Sequence, residues 1–272
     1  MGEQLDLERE HGAWWVWMRP QPRPCFTPGL LAECAEVQAA LRSSRQRQQL
    51  PEARYLVLGS RVPGVFNLGG DLSLFAQAVR AGDEPGLRRY GLRCVQLMHN
   101  QWTGFRQPRL VTIALVQGEA LGGGFEAALA CNLLVAERGV RFGLPERRFG
   151  LFPGMGAYQF LSRRVGAAQA ERLILGGAVH SAEELHALGL VDVLAPAGGG
   201  EQAVRAWIDA HRRQPAPFDA VLALRRRSWP LRWDELMQTM EQWVNAALAL
   251  SERDLRLMER LAAAQQGCRV AA

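Results

Sequence analysis

An α/β fold that ends in a helical region is what this 272-residue sequence predicts. Three observations carry the prediction. Short β-prone runs alternate with helical patterns as far as Pro196, and only helical patterns follow. The most apolar strand, Leu110–Val116, runs into a glycine triplet, Gly122-Gly123-Gly124. Alternation of this kind indicates α/β units rather than an all-β sandwich.

Ala13–Met18 reads as a short strand, closed by the proline-rich stretch Arg19–Pro24. Thr27-Pro28 opens a helix in N-cap and first-turn fashion, with Leu30, Leu31, Cys34, Val37 and Leu41 on one face. Tyr55–Leu58 is a buried strand and Val65–Gly70 a turn. Asp71 then starts a helix carrying Leu72, Phe75 and Val79. A long helical pattern runs from about Pro85 to Phe105, and Leu133–Ala136 is a further strand. Beyond Pro196, Val204–Ile208, Phe218–Leu224 and one stretch from Pro230 to Ala264 are helical. In the last, Trp233, Leu236, Met240, Trp243, Val244 and Ala247 recur at helical spacing, followed by Leu255, Met258 and Leu261. The division predicted is a core over residues 1–200 and a helical subdomain over 201–272, joined through the linker Ala197–Gly200.

A hydrophobic fraction of 48% and a charged fraction of 22% suit a globular chain, and no run approaches the ~20 apolar residues of a membrane span. The first ten residues have neither a basic nor an apolar signal-peptide region, so a cytoplasmic location is expected. Five cysteines (Cys25, Cys34, Cys94, Cys131, Cys268) without C-x-x-C spacing fit a reducing compartment, and His180 and His186 lack partners at zinc-ligand spacing, so no metal is expected. All 32 basic residues are Arg. No lysine can form a Schiff base, and a ligand phosphate has to be met by Arg or backbone. Arg163-Arg164, Arg212-Arg213 and Arg225–Arg227 read first as solvated faces, and second as contacts for an acidic ligand or carrier protein. The net charge of +5 is modest and aromatics do not interleave with the arginines, so nucleic acid is not an expected partner.

Glu126 follows the glycine triplet within one helical turn, and Glu146 follows Pro145, twenty residues later. Bare N–H groups at a helix start could hold a phosphate, but the sequence lacks the G-x-G-x-x-G spacing of a dinucleotide fold and sets a glutamate where it would repel a pyrophosphate. A carbonyl oxygen gaining negative charge is the better guest, with Gly69-Gly70 supplying a second N–H. Taken singly, each glutamate could be a helix-dipole carboxylate. Together, two carboxyls sharing a water disfavour each other's ionised form, which divides them into an acid and a base.

From Val111 to Ala195 the chain resembles the crotonase (enoyl-CoA hydratase/isomerase) superfamily. The matching segments are Gly118–Gly124, Glu126, Phe142–Glu146, Gly150–Gly156, Ser181–Glu184 and Gly189–Asp192, with Pro24–Thr27 and Leu68–Asp71 matching its N-terminal elements. The resemblance implies a spiral of ββα turns with a helical C-terminal region that trimerises, or forms hexamers. It implies an oxyanion hole from the N–H groups of Gly70 and Gly123, and a catalytic water held by Glu126 and Glu146, with Gly154 at a helix start near that water. Leu68, Gly69, Gly154 and Met155 fall at substrate-binding positions. The substrate would arrive as a phosphopantetheine thioester of acyl carrier protein or CoA, with no other cofactor.

Arg23–Pro28, Phe66–Phe75, Gln117–Ala127 and Leu151–Tyr158 are most similar to the diffusible-signal-factor synthases of bacterial quorum sensing. Those enzymes dehydrate a medium-chain 3-hydroxyacyl carrier-protein thioester and cleave it, releasing a cis-2-unsaturated fatty acid. A general enoyl-CoA hydratase of fatty-acid metabolism is the alternative. A binding or regulatory shell with a signalling-protein partner is the third reading. In the catalytic readings Glu146 exchanges the proton at C2 and Glu126 handles the water. The acyl slot is expected at Met155, Tyr158 and the Trp233–Trp243 helix.

Overall fold

The computed structural model describes residues 2–10, 12–46 and 54–267; Cys268 lies outside them. In chain order the elements begin with β1 (Leu5–Glu10), β2 (Ala13–Met18), α1 (Pro28–Gln46), β3 (Tyr55–Ser60), β4 (Val65–Asn67), α2 (Leu72–Ala81) and α3 (Glu84–Trp102). Then come β5 (Val111–Val116), β6 (Glu119–Leu121), α4 (Gly123–Leu129), β7 (Leu133–Glu137), β8 (Arg141–Gly143), α5 (Ala157–Val165) and α6 (Ala167–Gly176). The remainder is β9 (Val179–Ser181), α7 (Ala182–Ala187), β10 (Val193–Ala195), α8 (Gly200–Arg213), α9 (Ala216–Ser228), α10 (Trp233–Leu248) and α11 (Glu252–Gly267).

Two sheets organise the chain, a six-stranded one in the order β1-β2-β3-β5-β7-β10 and a four-stranded one in the order β4-β6-β8-β9. β1 and β2 pair antiparallel, as do β8 and β9; the other pairs are parallel. The pairs β3/β4, β5/β6 and β7/β8 each give one strand to the large sheet and the next to the small one, and a helix follows. This is a repeated ββα turn. The inner strands β2, β3, β5 and β7 of the large sheet are buried on both faces, as parallel strands usually are. Leu56, Leu58, Ala114 and Leu134 face the core shared with α1, α3 and α10, while Tyr55, Val57, Ile113 and Val135 face α8 and α9.

The small sheet was not legible as strands. β4 reads as a turn in the sequence because three residues cannot show a period of two. The helical stretch from Pro230 to Ala264 is two helices. Ser251 breaks it, its Oγ accepting from the Asp254 N–H at 3.3 Å in N-cap fashion. The helix read to Phe105 ends at Trp102, and Phe105 and Arg106 enter a tight turn with φ near +57° and +58°.

The segment Ala197–Gly200 is tied down at its end. The Gly198 and Gly200 N–H groups donate to the Glu137 carboxylate at 2.8 and 2.9 Å, and α8 starts there. From this anchor α8 and α9 cover the back of the large sheet, whereas α10 packs on α3 and α11 on α2. Most arginines of the named clusters are staples rather than solvated faces. Arg226 reaches the carbonyls of Pro108 and Leu110, Arg225 that of Asn132, Arg164 those of Cys131 and Leu190, and Arg163 that of Pro230. A planar fork with five donors suits this bridging of loop carbonyls.

Candidate active site

The two glycine turns meet. Gly69, at φ +91°, is held by the Asn67 Oδ1, which accepts its N–H at 2.8 Å. A Cβ on Gly69 would lie 2.9 Å from the Gly123 nitrogen, and one on Gly124 would lie 2.0 Å from the Asn67 carbonyl oxygen. Only bare backbone permits this approach. Gly122 N–H donates to the Gly143 carbonyl at 2.8 Å, which ties the triplet to the strand leading into Pro145-Glu146. Neither the Gly70 nor the Gly123 N–H donates to another atom among the described residues. Both glycines line a cavity of about 290 Å³, together with Glu126 and Glu146.

Glu126 lies in α4 and is 1% exposed. Its Oε1 accepts from the N–H groups of Met155 at 2.8 Å and Ala157 at 2.9 Å, at the start of α5. Burial pushes its carboxyl up to about 7, against these backbone donors, which favour the charged form. Glu146 sits in the single turn Pro145–Phe149, 8% exposed, and its Oε2 has no hydrogen-bond partner. Burial, and after it the charge of Glu126, push its carboxyl up to about 8. The two groups titrate as a pair, so one shared proton is the natural load near neutral pH. The Met155 and Ala157 amides favour the charged form of Glu126, whereas the charge of Glu126 disfavours that of Glu146.

Leu68, Gly154 and Met155 line the cavity as the sequence predicts, whereas Gly69 sits behind Gly123 and shapes the turn. Trp243 lines it too, and a Cβ on Gly154 would come within 2.5 Å of its ring. Two residues proposed for the acyl slot are elsewhere. Tyr158 is 43% exposed, with its hydroxyl 3.4 Å from Glu171, because it lies on the outer side of α5. Trp233 packs edge-on against His99 at 5.5 Å and takes no part in the cavity wall. Sequence reasoning missed Tyr90 and Cys94 of α3, which face the cavity, and Leu261 and Gln265 of α11. The signal for Tyr90 was available, since a tyrosine in an apolar stripe needs a partner for its hydroxyl. Nothing in the sequence placed α11 over the site, where Gln265 Nε2 donates to the Leu68 carbonyl at 3.1 Å.

The four described cysteines are buried free thiols, and burial pushes those of Cys25, Cys34 and Cys131 up to about 12, which leaves them protonated. Among the described residues no three His, Cys, Asp or Glu side chains converge on one point, and no helix is long and apolar enough to cross a membrane. The site brings two buried carboxyls beside two N–H groups without acceptors among the described residues.

Two carboxyls and two bare N–H groups on a ββα spiral define a class of proton-transfer site. The chain belongs to the enoyl-CoA hydratase/isomerase family, whose profile matches residues 16–225. It is 40% identical over 174 residues to the human mitochondrial enoyl-CoA hydratase domain-containing protein 2, covering 64% of this chain and 55% of that protein. With the rat mitochondrial methylglutaconyl-CoA hydratase it shares 33% over 188 residues, covering 69% and 55%. The chain thus spans about half the length of these relatives. Among solved structures, an enoyl-CoA hydratase from Bacillus halodurans superposes with a TM-score of 0.77 at 22% identity, over 95% of this chain and 100% of that one. DspI of Pseudomonas aeruginosa gives 0.69 at 26% identity, over 89% and 95%. The fold is the crotonase-like fold expected from the resemblance.

Proposed function

We propose that this protein adds or removes water across C2 and C3 of an acyl thioester. The observation that carries this reading is the buried pair Glu126 and Glu146 on one cavity with the free N–H groups of Gly70 and Gly123. In dehydration Glu146 takes the C2 proton, the thioester oxygen gathers negative charge on the two N–H groups, and the C3 hydroxyl leaves as water with a proton from Glu126. Hydration is the reverse. Each N–H of this kind is worth about 100- to 1000-fold in rate.

The finer reading is a medium-chain 3-hydroxyacyl thioester on acyl carrier protein, dehydrated and then hydrolysed to a free 2-unsaturated acid of the signal type. Support comes from the motif likeness to the signal synthases and from the apolar wall of the cavity, formed by Leu72, Phe75, Met155, Met240, Trp243 and Leu261. For hydrolysis, water deprotonated by Glu126 would add to C1 and the thiol would leave carrying the proton. Incubation with 3-hydroxydodecanoyl carrier protein tests both steps by mass spectrometry. Free dodecenoic acid is the expected product, and 2-dodecenoyl carrier protein alone would remove the hydrolytic half.

One observation favours a second reading, hydration of 2-enoyl-CoA in fatty-acid metabolism. The two amides that donate to Glu126 Oε1 favour its charged form, the form that takes a proton from the entering water. The relatives named as hydratases support it as well. Fast hydration of crotonyl-CoA with no thiol release would select it. Assembly as a trimer or hexamer belongs to the same proposal and is read by light scattering.

A further inference from the structure

The Gly70 N–H is aimed by its neighbours. Phe26 and Gly70 form an isolated parallel bridge, in which the Phe26 N–H donates to the Gly69 carbonyl at 2.7 Å. A trans peptide points its N–H away from its C=O. Fixing the Gly69 carbonyl on Phe26 therefore turns the Gly70 N–H to the opposite side, where the cavity lies. The next rung of a parallel ladder would run from the Asp71 N–H to the Phe26 carbonyl. Here a side chain stands in that rung. Tyr90, from α3, donates its hydroxyl to the Phe26 carbonyl at 2.6 Å and accepts the Asp71 N–H at 3.2 Å. Peptide planes on both sides of Gly70 are thereby pinned, one by Phe26 and one by Tyr90.

The hydroxyl is well held for this task. Tyr90 is buried, its ring meets Phe75 edge-on at 5.0 Å, and Phe75 packs against Gly70 so closely that a Cβ there would lie 2.5 Å from the ring. Burial keeps the phenol protonated, so it stays a donor to the carbonyl and an acceptor for the amide. Asp71, whose N–H it receives, is fixed from its other end by Arg23 Nη2, which contacts both carboxylate oxygens at 2.8 Å. We infer that Tyr90 is a positioning residue for the oxyanion hole, setting the direction of the Gly70 N–H through the Phe26 and Asp71 peptides. The inference rests on the proton-transfer reading of the site.

Tyr90→Phe keeps the ring and removes the bridge. Two readouts separate aim from stability. The first is the kcat and KM for hydration of 2-decenoyl thioester, presented on CoA or on carrier protein, whichever the wild type turns over. The second is the infrared C=O stretch of bound decanoyl thioester carrying 13C at C1, which has no double bond to hydrate, recorded before any thiol is released. In the variant kcat should fall about 10- to 100-fold with KM changed less than about threefold, below the full loss of a donor. The carbonyl stretch should move back toward its value in water. Asn100→Ala, which removes a buried bond to Gln38 Oε1 away from the cavity, is the control for stability alone; it should lower the melting temperature and leave kcat and the stretch in place. Wild-type kcat and an unshifted stretch in Tyr90→Phe would overturn the inference and leave the functional reading standing. A wild type that neither hydrates nor polarises the thioester overturns both.

Discussion

Two glycine triplets open helices in this chain, and they meet opposite fates. Gly198-Gly199-Gly200 starts α8, and the Gly198 and Gly200 N–H groups close on Glu137, which also accepts from Gln117 Nε2 at 2.9 Å. Gly122-Gly123-Gly124 starts α4, and Gly123, whose N–H has no acceptor from the described residues, lines the cavity. The buried glutamates differ in the same way. Glu137 has donors on both oxygens, whereas Glu126 is anchored through Oε1 and Glu146 Oε2 has none. A buried polar group costs free energy until it is paired, so unpaired groups gathered on one cavity mark where a ligand completes the bonding. Glycines beside a glutamate are thus a structural cap when the protein supplies its own anion and a candidate site when it does not.

The sharpest way to break the comparison is to remove one acid. Glu146→Gln should lower the hydration or dehydration rate by about 100- to 10,000-fold, the span of a positioned acid–base group. Its circular dichroism should match the wild type, since the amide relieves the burial of a chargeable group. Retained turnover would show that the unpaired carboxyl has no part in the chemistry. Next in size is a matched pair of alanines. At Gly122, φ is +51° and a Cβ would lie 2.6 Å from Glu146 Oε1, so Gly122→Ala should cost activity, about 10-fold or more by the loss of aim alone. At Gly200 the same Cβ would lie 2.7 Å from Glu137 Oε1 and 2.8 Å from Leu115 Cδ1. Gly200→Ala should therefore lower the melting temperature while folded protein keeps its kcat.

A smaller effect is the pH dependence of stability. The Glu146 carboxyl is raised from the ordinary value of 4.5 to about 8, mainly by burial. Between those values the folded chain binds a proton that the unfolded chain has released, so stability falls as pH rises through this window. Below 4.5 both states are protonated and the contribution is level. Urea midpoints of wild type and Glu146→Gln, compared from pH 4.5 to 8.5, should show the wild type losing ground to the variant as pH rises. A constant difference would mean the carboxyl is not desolvated.

What was legible in the sequence divides along the same line. The α/β alternation showed because β2, β3, β5 and β7 are apolar runs buried on both faces, a signal that survives in one dimension. Glu126, Glu146 and the glycine turns were legible because backbone chemistry leaves its mark in local order. The three-residue strands β4, β6 and β8 were not, because their pairing is a tertiary fact. Trp233 was read toward the cavity as part of a helix found by its spacing, and Tyr158 as the end of the segment Leu151–Tyr158, but neither signal gives the direction in which a side chain looks. The capping role of Gly198 and Gly200 was hidden for a related reason. Their partner, Glu137, is some sixty residues away, and a linker reading is all that composition allows.

Glu137→Gln is the gentlest test and bears on that cap directly. The amide keeps the shape and one acceptor oxygen, but its NH2 group would face either the Gly198 N–H, or the Gly200 N–H and the Gln117 amide, as donor against donor. One buried donor left unpaired costs about 1–3 kcal/mol. The loss should appear in the urea midpoint of the whole chain, because α8 packs directly on the main sheet through Val204 and Ile208. Hydration or dehydration kinetics of the folded protein should stay at the wild-type value, since Glu137 does not line the cavity. A fall in kcat without a fall in stability would mean that the two glycine triplets communicate, and the contrast between a structural cap and a reactive site would then fail.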